Sequence, residues 1–147
     1  MRPDSPRKIE KQVAFIETLP ESGAVVFSRY RTIDQTGWIL DEVGAPDGFR
    51  PDSIAYSLVL SQWLHCCTIL APRWMYLESG LFREELLTTQ DYDLLIRMGL
   101  RYPFHEVPEV LLLARRHPEQ GSLTDLHRRE LEPFFEEQVS RLSSEYM

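Results

Sequence analysis

Two acidic residues, Asp91 and Asp93, stand at the start of a segment that is otherwise strongly apolar, Thr88–Leu100. The apolar residues after them recur at helical spacing, which predicts a helix with both acids in its first turn and Thr88 or Thr89 as its cap. A carboxylate at a helix N-terminus has a fixed position and stays ionised, although its lowered pKa makes it a weaker base. The position of Asp91 is compatible with a general base that takes the proton of a hydroxyl group, and it also fits a simple cap or first-turn acid. Asp93 can be a residue of the same site or, alternatively, a solvated acid in the first turn of the helix.

Cationic side chains are clustered later in the chain, at Arg115, Arg116 and His117. Guanidinium groups suit phosphate oxygens, and an imidazole can ligate a metal ion. The alternative for His117 is an ordinary surface histidine. The other histidines share no metal-ligand spacing with one another; they are His65, His105 and His127.

The two cysteines, Cys66 and Cys67, are adjacent in a short apolar run. Neighbouring side chains of a strand point to opposite faces, so we expect no disulfide between them and a reduced, cytoplasmic protein. A buried strand explains the pair better than a metal site, because the sequence offers no second cluster of ligands.

Composition narrows the function classes. The 147 residues suit a single domain, 1–147, with its own core, and the net charge of −7 argues against nucleic acid as a partner. The apolar runs are too short to span a bilayer, and the first residues lack the apolar stretch of a signal peptide. We therefore expect no transmembrane segment and a location in the cytoplasm or at a membrane surface.

Periodicity and turn residues predict the elements that position these groups. A helix is predicted over Ser5–Thr18, with an apolar stripe formed by Ile9, Val13, Phe15 and Ile16. Two strands around the turn Asp34–Gly37 predict a hairpin. The further predicted elements are a helix over 53–64 capped by Ser53, a strand over 66–70, a short helix over 74–78, strand pieces on either side of Pro108, and a C-terminal helical segment over 123–147 that Pro133 breaks or kinks. This order predicts an α/β or α+β fold, with a small mixed sheet and flanking helices.

Four stretches together resemble one family, the family 2 glycosyltransferases with the GT-A fold. They are KIEKQVAFIE (8–17), SRYRTIDQTG (28–37), LESGLFREELLTTQDYDLLIRM (77–98) and VPEVLLLARRHPEQGS (107–122). The third resembles the family's Gly-x-Phe-x-Glu segment with the acid-Asp-Tyr-Asp helix after it. The fourth resembles the family's strand that ends in arginine and histidine before a serine-rich turn. The four occur in the family's order and cover most of the chain.

The resemblance implies a partial GT-A fold and the transfer of a sugar, with inversion, from a nucleotide-sugar to a sugar or lipid-linked acceptor. It implies Asp91 as the base, and a divalent cation, Mg²⁺ or Mn²⁺, in the complete enzyme with His117 as a ligand. The residues implied at the acceptor are Glu84, Asp93 and Trp74, and those implied at the diphosphate are Arg115, Arg116 and His117.

Several of these residues also have a structural interpretation. Glu84 can belong to a solvated turn, and Arg97 can anchor a carboxylate within the fold. The aromatic residues that can stack on a sugar or belong to the core are Trp63, Trp74 and Phe82.

Two features depart from the family's pattern. In the family, an Asp-x-Asp motif holds metal and nucleotide; this motif and the Rossmann-like half before it would precede Pro3 and are absent from this sequence. In addition, Gln90 stands where the family often has Glu. We therefore expect the acceptor-side, C-terminal half of an enzyme, inactive by itself, or alternatively a non-catalytic binding or assembly module. A half-domain exposes a strand edge and an apolar face, which favours a homo-oligomer.

Overall fold

Three strands form a small mixed sheet in the computed structural model, which describes residues 7–20 and 23–145. The strand order is β2-β1-β3, with β1 at Val25–Ile33, β2 at Ile39–Val43 and β3 at Phe104–Arg115. Strand β1 pairs antiparallel with β2 and parallel with β3. The predicted α/β class with a small mixed sheet is thereby confirmed.

Five α-helices accompany this sheet within the described residues: α1 (Lys8–Glu17), α2 (Ile54–Leu60), α3 (Arg73–Glu78), α4 (Gln90–Gly99) and α5 (Asp125–Glu145). Helix α2 follows Ser53 as predicted but ends four residues early, because Ser61 adopts an extended backbone. The Ser53 hydroxyl does not cap α2; it donates to the carbonyl oxygen of Arg50 at 2.9 Å. The predicted start of the first helix, Ser5, lies outside the described residues. A bilayer-spanning helix, which needs both length and an apolar sequence, does not occur among the described residues.

The turn of the β1–β2 hairpin is stabilised by Asp34. Its Oδ1 accepts hydrogen bonds from the backbone nitrogens of Thr36 at 2.8 Å and Trp38 at 2.9 Å. Gly37 has φ of 94°, a conformation that favours glycine. The predicted hairpin is confirmed, and its outer strand lies at the edge of the sheet. Large apolar residues exposed there are Trp38, Ile39 and Leu40.

Helix α4 packs against α2 in the main core. The residues of its predicted apolar stripe are buried, namely Leu94, Leu95 and Met98. Tyr102, which follows the helix, is partly buried against the same core. Gly99 lets the two helices approach closely, since a Cβ there would lie 2.5 Å from Cγ2 of Ile54 and 3.2 Å from the backbone nitrogen of Ala55. This packing holds the helix that carries Asp91.

Helix α1 packs on the sheet with only part of its predicted apolar stripe. Ile9 and Val13 are 57% and 42% exposed, whereas Phe15 and Ile16 pack against a second buried cluster. Gln12 lies on the buried face, where its Nε2 donates to a buried backbone carbonyl group at 2.6 Å. This hydrogen bond allows the polar side chain of Gln12 to be buried on this face.

The apolar run 66–70 is not the predicted buried strand. Cys66–Thr68 forms a 3₁₀ turn, and Leu70 makes an isolated antiparallel bridge with Val26. The turn is closed by Thr68, whose hydroxyl and backbone nitrogen both donate to the carbonyl oxygen of His65, at 2.7 and 2.9 Å. Both cysteines are free and exposed as a result.

Strand β3 is continuous over 12 residues, not two pieces on either side of Pro108. The irregularity lies in its pairing with β1. While β1 advances two residues, from Ser28 to Tyr30, β3 advances five, from Val107 to Leu112, so β3 has three extra residues in this β-bulge. A proline is tolerated at such a point because no ladder hydrogen bond from its nitrogen is needed.

Helix α5 continues through Pro133, so of the predicted break or kink the break is wrong. The lost backbone hydrogen bond is offset by burial of the residues that follow, on a face that packs against the main core. These buried residues are Phe134, Gln138 and Leu142.

Candidate functional site

A cavity of about 390 Å³ lies where β1 and β3 end and α4 begins. Parallel strands place their carboxyl ends at one edge of a sheet, and open α/β sheets bind ligands there. Strand β1 contributes Tyr30 and Thr32, β3 contributes Ala114 and Arg115, and α4 contributes Asp91. We call this space the Asp91 cavity.

Asp91 is half-buried on the wall of this cavity, at the second residue of α4. Its Oδ1 accepts a hydrogen bond from the backbone nitrogen of Tyr92 at 2.9 Å. The Thr89 side chain makes no capping hydrogen bond at this helix, so the predicted threonine cap is wrong. The Asp91 carboxylate therefore faces the cavity from a position that the helix backbone fixes.

The N-terminus of α4 is capped instead by a residue of another helix, Glu130 of α5. The Glu130 carboxylate accepts hydrogen bonds from the backbone nitrogens of Leu87, Thr88 and Thr89 at 2.9, 2.9 and 2.7 Å. It also accepts from both threonine hydroxyls, at 2.9 and 2.7 Å. Burial works to raise the pKa of Glu130, but the hydrogen bonds, led by the Thr89 hydroxyl, outweigh it and lower the pKa to about 2. Glu130 thus fixes the loop that positions Asp91.

His127 lies one turn before Glu130 on α5 and lines the Asp91 cavity. Its Nδ1 is 3.0 Å from the hydroxyl oxygen of Thr88. Residues three apart on a helix share a face, so His127 and Glu130 both reach the start of α4. One helix face therefore supplies both a capping carboxylate and an imidazole to the site.

His65 and Cys66 lie on the wall beside Asp91. Desolvation of the Cys66 thiol and the negative charge of Asp91 raise the pKa of Cys66 to about 12. The His65 ring packs edge-to-face on Tyr30 with centroids 5.4 Å apart, and desolvation lowers the pKa of His65 against the opposing charge of Asp91. At neutral pH the His65 and Cys66 side chains are therefore both uncharged, so neither of them neutralises the carboxylate of Asp91.

Asp93 does not line the Asp91 cavity. Its side chain is fully buried and forms ion pairs with Arg97 at 2.7 Å, Arg141 at 3.4 Å and Arg83 at 3.5 Å. The interpretation of Asp93 as a solvated acid is therefore wrong. The anchoring role of Arg97 is confirmed, since its guanidinium group also donates to the backbone carbonyls of the segment before α4.

A second cavity, of about 500 Å³, shares Arg116 and Gln120 with the Asp91 cavity. The exposed residue His117 lines the second cavity, next to the hairpin turn at Asp34. Arg115 ties the end of β3 to that turn, because its Nη1 donates to the backbone oxygens of Asp34 at 2.8 Å and of Gln35 at 2.6 Å. Asp91 and His117 thus lie on the same side of the molecule, in neighbouring cavities with common walls.

The residues around His117 do not by themselves fit Mg²⁺ or Mn²⁺, which take several oxygen ligands. Asp34 is the carboxylate beside His117, and its hydrogen bonds within the turn, led by the Thr36 hydroxyl, hold its pKa below the usual range. Over the described ranges, the group of three ligating side chains that the structure brings together is His65, Cys66 and Cys67. That set of nitrogen and sulfur atoms suits other metals.

Two residues predicted at the acceptor, Glu84 and Trp74, are exposed and do not line the Asp91 cavity. Trp74 packs edge-to-face on Tyr102 at 5.6 Å. Trp63 packs in the same way on Phe27 at 5.3 Å, within the main core. The structure therefore does not place these tryptophans on the wall beside Asp91.

Several polar residues of the site were missed from the sequence, above all Tyr30, Tyr92, His127 and Glu130. The two tyrosine hydroxyls donate to backbone oxygens, Tyr30 to Trp63 at 2.8 Å and Tyr92 to Leu64 at 2.7 Å. These contacts join distant segments and have no local signature. The spacing of His127 and Glu130, three apart in a predicted helix, was a signal that the two act on one neighbour.

Comparisons with known proteins agree on one activity class. No family model matches the chain. Uncharacterized glycosyltransferases of several Rickettsia species are similar to it. The chain is 36% identical over 120 residues to one from Rickettsia felis, an alignment that covers 80% of the chain and 20% of that protein.

Two further relatives align over longer stretches. Identity is 33% over 130 residues with a protein of Rickettsia typhi, covering 85% of the chain and 40% of the relative. It is 30% over 145 residues with a protein of Rickettsia prowazekii, covering 97% of the chain and 46% of the relative. The chain spans less than half the length of these curated relatives. Over that length, the chain is homologous to one part of these uncharacterized glycosyltransferases.

Proposed function

We propose that this chain forms the acceptor-side part of a family 2 glycosyltransferase with the GT-A fold. The reaction is transfer of a sugar, with inversion, from a nucleotide-sugar to a hydroxyl group of a sugar or lipid-linked acceptor. The observation that carries the proposal is the Asp91 carboxylate on the wall of a cavity at the carboxyl edge of two parallel strands. Homology to glycosyltransferases supports the reaction class.

Asp91 is the base of the proposed reaction. The acceptor hydroxyl attacks the anomeric carbon from the face opposite the leaving group, and its proton passes to the Asp91 carboxylate. The new carbon–oxygen bond forms as the bond to the diphosphate breaks, which inverts the configuration. Pre-positioning supports this role, since Asp91 sits on a helix whose start is held by Glu130.

Arg116 is the residue we assign to the leaving diphosphate, because it lines both cavities. Arg115 supports it by holding the hairpin turn, and His117 approaches from the second cavity. A divalent cation, Mg²⁺ or Mn²⁺, belongs to this proposal as a group that neutralises the diphosphate when bound. His117 is the ligand this chain would offer, with the remaining ligands coming from outside the described residues.

Acceptor contacts are assigned to polar side chains of the Asp91 cavity. Gln120 and Ser122 line this cavity together with Asp91, and His127 lies beside Thr88. Glu84, Asp93 and Trp74 are not part of the proposed acceptor surface, because none of the three lines the cavity.

Release of nucleoside diphosphate tests the proposal. Because the chain alone is expected to be inactive, it is incubated together with the part of the Rickettsia prowazekii relative outside the aligned region, Mn²⁺, a mixed saccharide acceptor and uridine, guanosine or thymidine diphosphate sugars. Asp91→Asn should lower turnover at least about 100-fold, the usual size of a lost general base, with the fold unchanged. The matched control is Asp47→Asn, which changes an exposed loop acid and should stay within about twofold of wild type. Equal turnover in wild type and Asp91→Asn removes Asp91 from the base role.

A non-catalytic binding or assembly module is the second candidate. It is favoured by one observation, that the described residues do not form an oxygen-rich cation site. Calorimetry with uridine diphosphate and Mn²⁺ separates the two candidates. Turnover with nucleotide binding supports the enzyme. A wild-type chain that neither binds millimolar nucleotide nor turns over any donor in the presence of that part of the relative supports the module.

Self-association is also part of the proposal. The edge strand β2 and its turn expose Trp38 (75%), Ile39 (53%) and Leu40 (51%). An exposed strand edge with apolar side chains favours pairing with a second copy. Light scattering should show a dimer or larger species that Trp38→Glu shifts toward monomer. A wild-type monomer at high concentration contradicts this part.

A further inference from the structure

Three potential metal ligands are brought together by the 3₁₀ turn at Cys66–Thr68 and the residue before it. The ligating atoms of His65, Cys66 and Cys67 all lie within 4.8 Å of one another. In a strand, the two cysteine side chains would have pointed to opposite faces. The turn instead directs both sulfur atoms toward the same imidazole.

The His65 imidazole is already oriented for ligation. Its Nδ1 accepts a hydrogen bond from the backbone nitrogen of Cys67 at 3.2 Å, so the Nδ1 lone pair points toward the cysteines. The ring is held against Tyr30 in an edge-to-face contact. Nδ1 is therefore the atom that would bind a metal ion, in exchange for a long hydrogen bond.

The two thiols are available for a metal because a disulfide between them is disfavoured. Cα atoms of adjacent residues are about 3.8 Å apart. Ordinary disulfides need at least about 4.4 Å between Cα atoms. Cys66 and Cys67 are both free and exposed in the structure.

We propose that His65, Cys66 and Cys67 bind one thiophilic divalent cation of the zinc type, with its remaining coordination position open to the Asp91 cavity. Two thiolates and an imidazole form a three-ligand set of the kind that zinc accepts when it keeps one open position. Binding forms two metal–sulfur bonds and one metal–nitrogen bond and releases both thiol protons to solvent. The open position faces the cavity because His65 and Cys66 line it.

The geometry needs a small adjustment. A tetrahedral zinc site with sulfur bonds of about 2.3 Å places its ligand atoms about 3.5 to 3.8 Å apart. The present separations, up to 4.8 Å, therefore shorten by roughly 1 Å. Rotation of two exposed cysteine side chains can supply this without movement of the core. The proposal is independent of the glycosyltransferase proposal, since it concerns binding in the absence of any sugar.

Cobalt titration of the metal-free, reduced 147-residue chain tests the site. Co²⁺ reports sulfur ligation through a thiolate-to-cobalt charge-transfer band, and zinc then displaces it. We expect the band to saturate at one ion per chain. Cys66→Ser and Cys67→Ser should each reduce the band and weaken binding at least roughly 10-fold, since even an outer-shell partner has an effect of this size. His65→Gln should weaken binding similarly while the sulfur band persists at high cobalt.

His105→Gln is the matched control, because His105 is a histidine of β3 outside the three-ligand group and has no part in the proposed sites. It should bind cobalt as wild type does, and circular dichroism checks that every variant is folded. Absence of a sulfur band in wild type overturns the proposal, as does an unchanged titration in either cysteine variant. Two ions per chain, or an equal affinity for cobalt in His65→Gln and the control variant, also overturns it.

Discussion

The Glu130 carboxylate lies 2.7 Å from the backbone nitrogen of Thr89, so a residue of α5 caps the helix that carries Asp91. The two residues are 41 positions apart in the chain. In all, Glu130 accepts five hydrogen bonds from the loop before α4. The position of the candidate base therefore depends on the docking of the last helix.

Glu130→Ala should lower the free energy of unfolding by about 2 kcal/mol, the upper range for loss of a helix cap, because five donors of the loop before α4 lose their acceptor. Urea denaturation monitored by circular dichroism measures the change. Glu132→Ala, an exposed position on the same helix, should change it by less than about 0.5 kcal/mol. Equal effects of the two substitutions would mean that the cap contributes nothing to stability.

The Glu130 cap should also be sensitive to acid. The pKa of Glu130 is about 2 in the folded chain, against about 4.3 for an unfolded glutamate. A lowered folded-state pKa gives stability that is present above the unfolded pKa and is lost as the pH falls toward the folded pKa. The stability difference between wild type and Glu130→Gln should therefore be constant above about pH 5 and shrink between about pH 4.3 and 2. Denaturation curves across this range measure it; a difference that stays constant down to pH 2 contradicts the assignment.

The two acids of α4 should respond differently to the same substitution. Asp93→Asn leaves three arginines without their buried carboxylate and should cost about 3 to 5 kcal/mol of stability. Asp91→Asn changes a half-buried carboxylate on a cavity wall and should cost less than about 1 kcal/mol. Thermal and urea denaturation of the pair measure both values. The reverse order would exchange their assigned roles.

Gly99→Ala should destabilise the chain although alanine is the better helix former. Helix propensity favours alanine by about 1 kcal/mol, but the added Cβ would lie 2.5 Å from Ile54 and close to the backbone of Ala55. Overpacking of this kind costs about 1 to 3 kcal/mol, so the net loss should reach about 1 kcal/mol. Gly121→Ala, where no atom lies within 4 Å of the new Cβ, is the control and should be nearly neutral. A more stable Gly99→Ala protein would show that α2 and α4 separate readily.

Local patterns predicted much of the fold. The hairpin at Asp34–Gly37 and the helix α4 were predicted because turn residues and apolar spacing are local signals. The position of Asp91 at the helix start followed from the same spacing. The strand predicted at 66–70 failed because hydrogen bonds to the His65 carbonyl, which the apolar pattern does not show, fold it into a turn.

The tertiary part of the site could not be predicted in this way. Asp93 was expected in solvent because a lone acid usually is, and the arginines that bury it come from three separate segments. Glu130 was overlooked because a glutamate within a charged helix resembles any solvated residue until its partner is known. Long-range pairs of polar residues carry no periodicity, so a single sequence does not reveal them.

Beyond the β-bulge, strand β1 decides the chemical character of one wall of the Asp91 cavity. The β1 side chains that line the cavity there are Tyr30 and Thr32. The arginines of the same strand pair with acids instead, Arg29 with Glu106 and Arg31 with Glu42. Strand β1 therefore contributes phenolic and aliphatic hydroxyls to this wall. A ligand resting on this wall meets a neutral surface, with the negative pole of the space at Asp91 and a positive pole at Arg116.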